Sequence, residues 1–153
     1  MYRIGNSIDI HNLVQSDQMQ KLAGKLFEVG YKIIAHSDGD IILHAISEAI
    51  LGALGLGDLG DYFSDNDDKN KNINSEIILD YALNKLKTYN YQIVNLDISI
   101  ISELIYFKPI KNDLKFQICQ LLNTDNVNIK ATRFEKESFQ IQCNCAILLK
   151  KII

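Results

Sequence analysis

The sequence predicts a two-layer α/β domain, with one sheet covered on one face by helices, spanning residues 1–153. Three observations predict it. Stretches with a hydrophobic period of two alternate with stretches of helical period along the chain. At 153 residues and 47% hydrophobic content, the chain has enough material for one sizeable core. No internal repeat and no Pro/Ser-rich linker divides it.

Tyr2 to His11 reads as the opening strand, with Ile4, Ile8 and Ile10 on one face. Asp40 to Leu54 reads as a helix, because Ile42, Ile46, Ala49, Ile50 and Ala53 recur at helical spacing and Gly55 and Gly57 then stop it. Ser37 or Asp38 is a candidate N-cap for that helix. Asp61 to Asn74 is mostly polar, with few core candidates, and reads as a mobile loop. Ser75 to Tyr89 is a second helix, capped by Asn74 or Ser75. Tyr91 to Ile101 alternates Val94, Leu96, Ile98 and Ile100 with Asn95, Asp97 and Ser99, the pattern of a strand with one buried face. Pro109 suits the first turn of a third helix carrying Ile110, Leu114, Ile118 and Leu121. Val127, Ile129 and Ala131 alternate again, and Gln140 to Leu149 closes the chain with Ile141, Cys143, Cys145, Ile147 and Leu149 on one face. The sheet face left without helices is either solvated or covered by identical subunits.

Composition narrows the function. A net charge of -3 supplies no basic footprint, which argues against nucleic acid as a partner. The first residues, MYRIGNSIDIH, lack the basic and apolar regions of a signal peptide, and no stretch has the length of a membrane helix. Cys119, Cys143 and Cys145 are too few for a disulfide framework and lack the partners of a zinc site, so they read as free thiols in a reducing cytosol. A cytoplasmic chain with no membrane partner is therefore expected.

Three features carry chemistry. Asp9 and His11 are two apart on a strand, so a carboxylate and an imidazole project from the same side. His44 lies one turn into the first long helix from Asp40. The loop feeding that helix reads His36-Ser37-Asp38-Gly39-Asp40. One Asp and two His make a common three-ligand set for a catalytic divalent metal, and all three histidines of the chain fall within these features. The bland alternative is a surface Asp, a core His44 and a capping loop. The loop itself either caps the helix or presents backbone N–H groups and Ser37 to a phosphate. The acidic run from Asp58 to Asp67 is either a solvated loop or a lid that grips hydroxyls of a polyol.

Arg3-Ile4-Gly5 followed by Asp9-Ile10-His11, the segment Ala35-His36-Ser37-Asp38-Gly39-Asp40 with Leu43-His44-Ala45, the loop Gly57-Asp58-Leu59-Gly60 with Phe63, Asp65 and Asp67, and Asn128-Ile129-Lys130-Ala131-Thr132 with Glu135-Lys136 occur in this order. Together they resemble the 2-C-methyl-D-erythritol 2,4-cyclodiphosphate synthase family, most closely over residues 35–67. The resemblance implies a metal-dependent cyclisation of 4-diphosphocytidyl-2-C-methyl-D-erythritol 2-phosphate with release of CMP, in the non-mevalonate route to isoprenoids. It implies that Asp9, His11 and His44 hold zinc or a similar ion, and that Glu135 binds a second ion, magnesium or manganese. His36 and Ser37 would contact phosphate, with His36 among the catalytic groups beside Thr132, Arg133 and Glu135. Asp9, His11, Asp58, Gly60, Phe63, Asp65 and Thr132 would line the substrate. It implies a homotrimer with sites between subunits, taking a cytidine diphosphate compound as small-molecule partner.

The chain departs from the family pattern at several positions. Asn6-Ser7 stands where His-Gly is usual, and Ser64 replaces the loop proline. Arg133 takes the place of a threonine, and Leu104 to Lys108 replaces the usual cytidine-pocket segment. The glycine-rich stretch before the last strand is shortened to Glu137-Ser138-Phe139-Gln140. These departures motivate a rival reading, a non-catalytic relative that binds a nucleotide or isoprenoid diphosphate; a third is a metal-dependent phosphohydrolase.

Overall fold

The computed structural model describes residues 1–153. Its main sheet has five strands in the order β4-β1-β7-β5-β6: β1 (Tyr2–Gln15), β4 (Tyr31–Ile34), β5 (Tyr91–Ser102), β6 (Val127–Thr132) and β7 (Gln140–Lys151). A small hairpin, β2 (Gln20–Leu22) and β3 (Lys25–Phe27), forms a separate two-stranded sheet. The helices are α1 (Ile41–Leu54), α2 (Ser75–Thr88) and α3 (Lys111–Leu122). β1, β7 and β5 pair antiparallel, and β5 and β6 pair parallel, so α3 serves as the crossover that a parallel pair requires.

β5 and β7 alternate buried and more exposed residues. Leu96, Ile98 and Ile100 of β5 and Ile141, Cys143, Cys145, Ile147 and Leu149 of β7 are buried in one core with α1. The opposite face carries no helix: Ile4, Ile8 and Ile10 of β1 are exposed there, beside Asn95 and Ala146. The opening strand thus turns its isoleucines away from the core and its small or polar residues, Gly5, Ser7, Asp9 and His11, toward the helices.

That orientation has a packing reason. α1 is buried on most of its surface and lies directly on β1 and β7. A Cβ on Gly5 would sit 2.0 Å from the Ala49 carbonyl oxygen, so only glycine allows the helix this close. Two residues along, the Ser7 hydroxyl donates to the Ala45 carbonyl at 2.6 Å. Strand positions 5 and 7 thereby track successive turns of α1, at Ala49 and Ala45, and position 9 meets His44, the neighbour of Ala45, which is how the sheet delivers Asp9 to the helical histidine.

Several boundaries differ from expectation. β1 extends four residues beyond His11 because residues 12–15 pair with β4, and β2, β3 and β4 fill a region the periodicity leaves blank. The N-cap of α1 is Asp40, not Ser37 or Asp38: its carboxylate accepts from the Leu43 N–H. The same carboxylate accepts from Ala23 and Gly24 N–H at 2.9 and 2.8 Å, tying the hairpin to the helix start. Pro109 lies in the turn before α3, which begins only at Lys111. The polar segment 61–74 carries local structure: two short 3-10 turns, Leu59–Asp61 and Asp68–Asn70, shape it, and the Asn72 N–H donates to the His36 carbonyl at 2.8 Å. No helix is long and apolar enough to cross a membrane.

Candidate active site

Asp9 and His11 project from β1 and His44 from the first turns of α1, and their ligand atoms lie within 4.8 Å of one another. The His11 Nε2 is 3.0 Å from Asp9 Oδ1, and His44 Nδ1 is 3.5 Å from Asp9 Oδ2. His11 Nδ1 sits 3.1 Å from the Ile34 carbonyl oxygen. A carbonyl can only accept, so Nδ1 carries hydrogen and donates, which leaves Nε2 as the ligand atom of the neutral ring. On its other side His44 Nε2 faces the hydroxyls of Ser75 at 2.7 Å and Ser37 at 3.2 Å.

The electrostatics favour a cation. Burial raises the Asp9 carboxyl, but the hydrogen bond from His11 and the nearness of both imidazoles outweigh it and hold the group well below the usual carboxylate range. The His11 imidazole is pushed up, chiefly by its hydrogen bond to Asp9. Asp9 Oδ2 is buried without a hydrogen-bond partner, since His44 Nδ1 at 3.5 Å is at ion-pair rather than hydrogen-bond distance. A buried, partnerless carboxylate oxygen between two imidazole nitrogens is what a divalent ion would satisfy, so the donor set fits the metal predicted for it.

The cluster opens into a cavity of about 240 Å³ whose lining includes Asp9, His11, His36, Ser37, His44 and Glu48. Gly60, Phe63 and Asp65, from the acidic loop, also line it. His36 Nε2 is also buried with no partner, a second polar atom left for a ligand. Asp58 does not reach this cavity: its side chain accepts from the Asp61 N–H and caps the 3-10 turn that sets Gly60. Glu48, one turn on from His44, accepts from the Leu59 N–H at 3.3 Å and so fastens the acidic loop to α1. Burial pushes its carboxyl up. Sequence reasoning missed Glu48, although its i+4 spacing from His44 places both on one helix face.

Thr132 and Arg133 line a different cavity, of about 320 Å³, with Ser102, Ile105, Tyr106, Phe107, Lys108 and Lys111. Glu103 organises its rim: it pairs with the Arg133 guanidinium and accepts from the Glu135 N–H at 3.2 Å. Glu135 has a left-handed backbone, φ 59°, and lines neither cavity. Within one chain the metal cluster and the Thr132–Glu135 turn therefore do not meet.

A family model for the YgbB family matches residues 2–150. The chain belongs to this family. Its relatives include the 2-C-methyl-D-erythritol 2,4-cyclodiphosphate synthase of Leptospira borgpetersenii serovar Hardjo-bovis, 46% identical over 99% of both chains. That of Fusobacterium nucleatum subsp. nucleatum is 40% identical over 99% of this chain and 98% of its own. Among solved structures, the bifunctional IspDF of Campylobacter jejuni superposes with a TM-score of 0.91 at 31% identity. This YgbB-family chain is covered to 99% there but spans only 43% of the bifunctional chain. A CDP complex of IspF from Plasmodium falciparum superposes with a TM-score of 0.85 at 32% identity, covering 99% of this chain and 97% of that one.

Proposed function

We infer that this YgbB-family chain converts 4-diphosphocytidyl-2-C-methyl-D-erythritol 2-phosphate into 2-C-methyl-D-erythritol 2,4-cyclodiphosphate and CMP, a lyase step of non-mevalonate isoprenoid synthesis. The observation that carries the reading is the Asp9, His11 and His44 cluster opening onto His36 and Ser37, in a chain 46% identical over its length to a synthase of that name. An oxygen of the 2-phosphate attacks the β-phosphorus, the bond from that phosphorus to the CMP oxygen breaks, and CMP leaves with the electron pair. Both partners are anions, so catalysis consists of charge neutralisation and in-line placement rather than a protein nucleophile.

Asp9, His11 and His44 hold a zinc-like ion, and Glu135 contributes to a second, magnesium or manganese. Divalent ions bound there would supply charge neutralisation at the phosphate oxygens. His36 and Ser37 bind phosphate; Asp58 orders the loop from which Gly60, Phe63 and Asp65 enclose the erythritol. Thr132 and Arg133 orient the diphosphate, with the Arg133 guanidinium offering a fixed positive charge in place of a hydroxyl. The cavity they share with Ser102 and residues 105–108 receives the cytidine moiety.

The proposed assembly is a homotrimer in which this second cavity of one copy adjoins the metal cavity of the next. Two observations support it: the halves of the site are apart within one chain, and the helix-free sheet face exposes Ile4, Ile8 and Ile10. Residues 1–153 act as one unit. The free thiols of Cys119, Cys143 and Cys145 agree with a cytoplasmic location.

The test is incubation of purified protein with the cytidine substrate and divalent metal. CMP release with a cyclic diphosphate in the phosphorus NMR spectrum is expected. A linear product would point to a phosphohydrolase, and tight binding without release would reject catalysis. His44→Ala should abolish turnover while leaving the fold intact.

A further inference from the structure

The hydrogen bonds behind His44 reach beyond the metal cluster. The Ser75 hydroxyl, at the first residue of α2, lies 2.7 Å from His44 Nε2 and also donates to Asp38 Oδ1. Asp38 is surrounded by donors. It accepts from the backbone N–H groups of Asp40 and Ser75 at 3.1 and 2.9 Å, and the Lys21 ammonium is 3.6 Å from Oδ2. A carboxylate so placed can only accept, and a serine hydroxyl has one proton to give. That proton goes to Asp38. The Ser75 oxygen then faces His44 with lone pairs alone, so the 2.7 Å contact requires His44 Nε2 to carry hydrogen and donate.

We propose that Ser75, held by Asp38, is a positioning residue that fixes His44 as its Nε2–H tautomer and thereby presents Nδ1 as the metal ligand. The inference rests on the metal reading given above. Two features of the site follow from it. Nδ1 of the neutral ring turns a lone pair toward Asp9 Oδ2, which explains why these atoms stand 3.5 Å apart and why Oδ2 lacks a donor. The Ser37 hydroxyl, 3.2 Å from the same Nε2 and accepting from the Gly39 N–H, is not needed to donate to His44 and keeps its proton for a ligand in the cavity.

The relay also explains how α2 and the His36–Asp40 loop take part in a site to which α2 contributes no metal ligand. The Asp38 N–H donates to the Ile73 carbonyl at 3.1 Å, so loop, helix start and histidine are fixed as one unit. Ser75 is fully buried and Lys21 bonds the α2 N-cap residue Asn74 at 3.2 Å. Ser75 makes no contact with bulk solvent in such surroundings, so protein groups set the tautomer.

The experiment compares zinc affinity, by competition with a chromophoric chelator, for the unmodified protein and for Ser75→Ala, Asp38→Asn and His44→Ala. Nitrogen-15 NMR of the imidazoles reads the His44 tautomer directly. Outer partners of metal-ligating histidines typically contribute about 10- to 100-fold in metal affinity, and Ser75→Ala should lose an amount in that range. Asp38→Asn, which keeps the shape but not the charge, should lose less. The unmodified protein should show hydrogen on Nε2, and Ser75→Ala a mixture of tautomers in the metal-free state. Urea unfolding of each variant in chelator separates a weakened ligand from a weakened fold. If the unmodified protein binds zinc and His44→Ala does not, yet Ser75→Ala binds as tightly as the parent with its tautomer unchanged, the relay is wrong and the metal site stands. If no form binds zinc, the metal reading fails first and takes the relay with it.

Discussion

Gly5 of β1 lies so close beneath Ala49 of α1 that a side-chain carbon on it would stand 2.0 Å from the Ala49 carbonyl oxygen and 2.9 Å from the Ala53 Cβ. Backbone on both sides leaves no flexible group to yield. Gly5→Ala should therefore lift α1 from the sheet, costing about 3 kcal/mol as overpacking of a tight contact does. Urea unfolding gives the stability, and zinc titration should show weakened binding as well, because the same movement draws His44 from Asp9.

Asp40 joins three backbone donors at one buried carboxylate. Asp40→Ala removes the cap of α1 and leaves the Ala23 and Gly24 N–H groups without their acceptor. A cost of about 3 kcal/mol is expected from the lost cap together with the stranded donors. Hydrogen exchange should show the β2–β3 hairpin opening first.

The metal-free protein should have a stability window set by Asp9 and His11. The Asp9 carboxyl is held below its ordinary 3.8, so its contribution is present above that pH and is lost as pH falls through the lowered value. The His11 imidazole is raised above its ordinary 6.5, so its contribution is complete below that pH and is lost as pH rises through the raised value. Both operate between 3.8 and 6.5. Thermal unfolding in chelator should be most resistant in that window, and His11→Ala should flatten the profile on its alkaline side. Excess zinc should move the optimum upward, since protons then compete with the ion for His11.

Burial pushes the Cys145 thiol up to about 12 and raises Cys143 well above its ordinary value. Neither forms thiolate at neutral pH, so iodoacetamide should label Cys119 alone in the folded protein. Mass spectrometry before and after unfolding in urea checks this.

Arg133 reaches Glu103 from an exposed position, and exposed ion pairs contribute little to stability. Arg133→Ala should change the unfolding free energy by less than about 1 kcal/mol. If the guanidinium orients the diphosphate, kcat/KM should nevertheless fall by at least about tenfold, the equivalent of 1.4 kcal/mol of transition-state binding. A variant that keeps full turnover would remove Arg133 from the reaction.

Alternation in Tyr91–Ser102 and Gln140–Lys151 and the helical stripe of Ile41–Leu54 were legible in the sequence, because those elements bury one face against a core and the period survives in the residue order. Asp9, His11 and His44 were legible as candidates because a strand puts i and i+2 on one side and the chain has only three histidines. The first strand is less telling: its period puts Ile4, Ile8 and Ile10 on one face without saying which face is buried, and they lie on the side without helices. What put Asp9 inward was the fit of Gly5 and Ser7 under α1, a contact between segments some 40 residues apart that no local period encodes. Tertiary structure alone also decided the outer partners of His44. Ser75 looks like any helix-start serine until α2 docks, and only then does its single proton, drawn to Asp38, determine which nitrogen of His44 is free. Local order is written in spacing; the direction of a hydrogen bond across the core depends on which groups folding brings within reach.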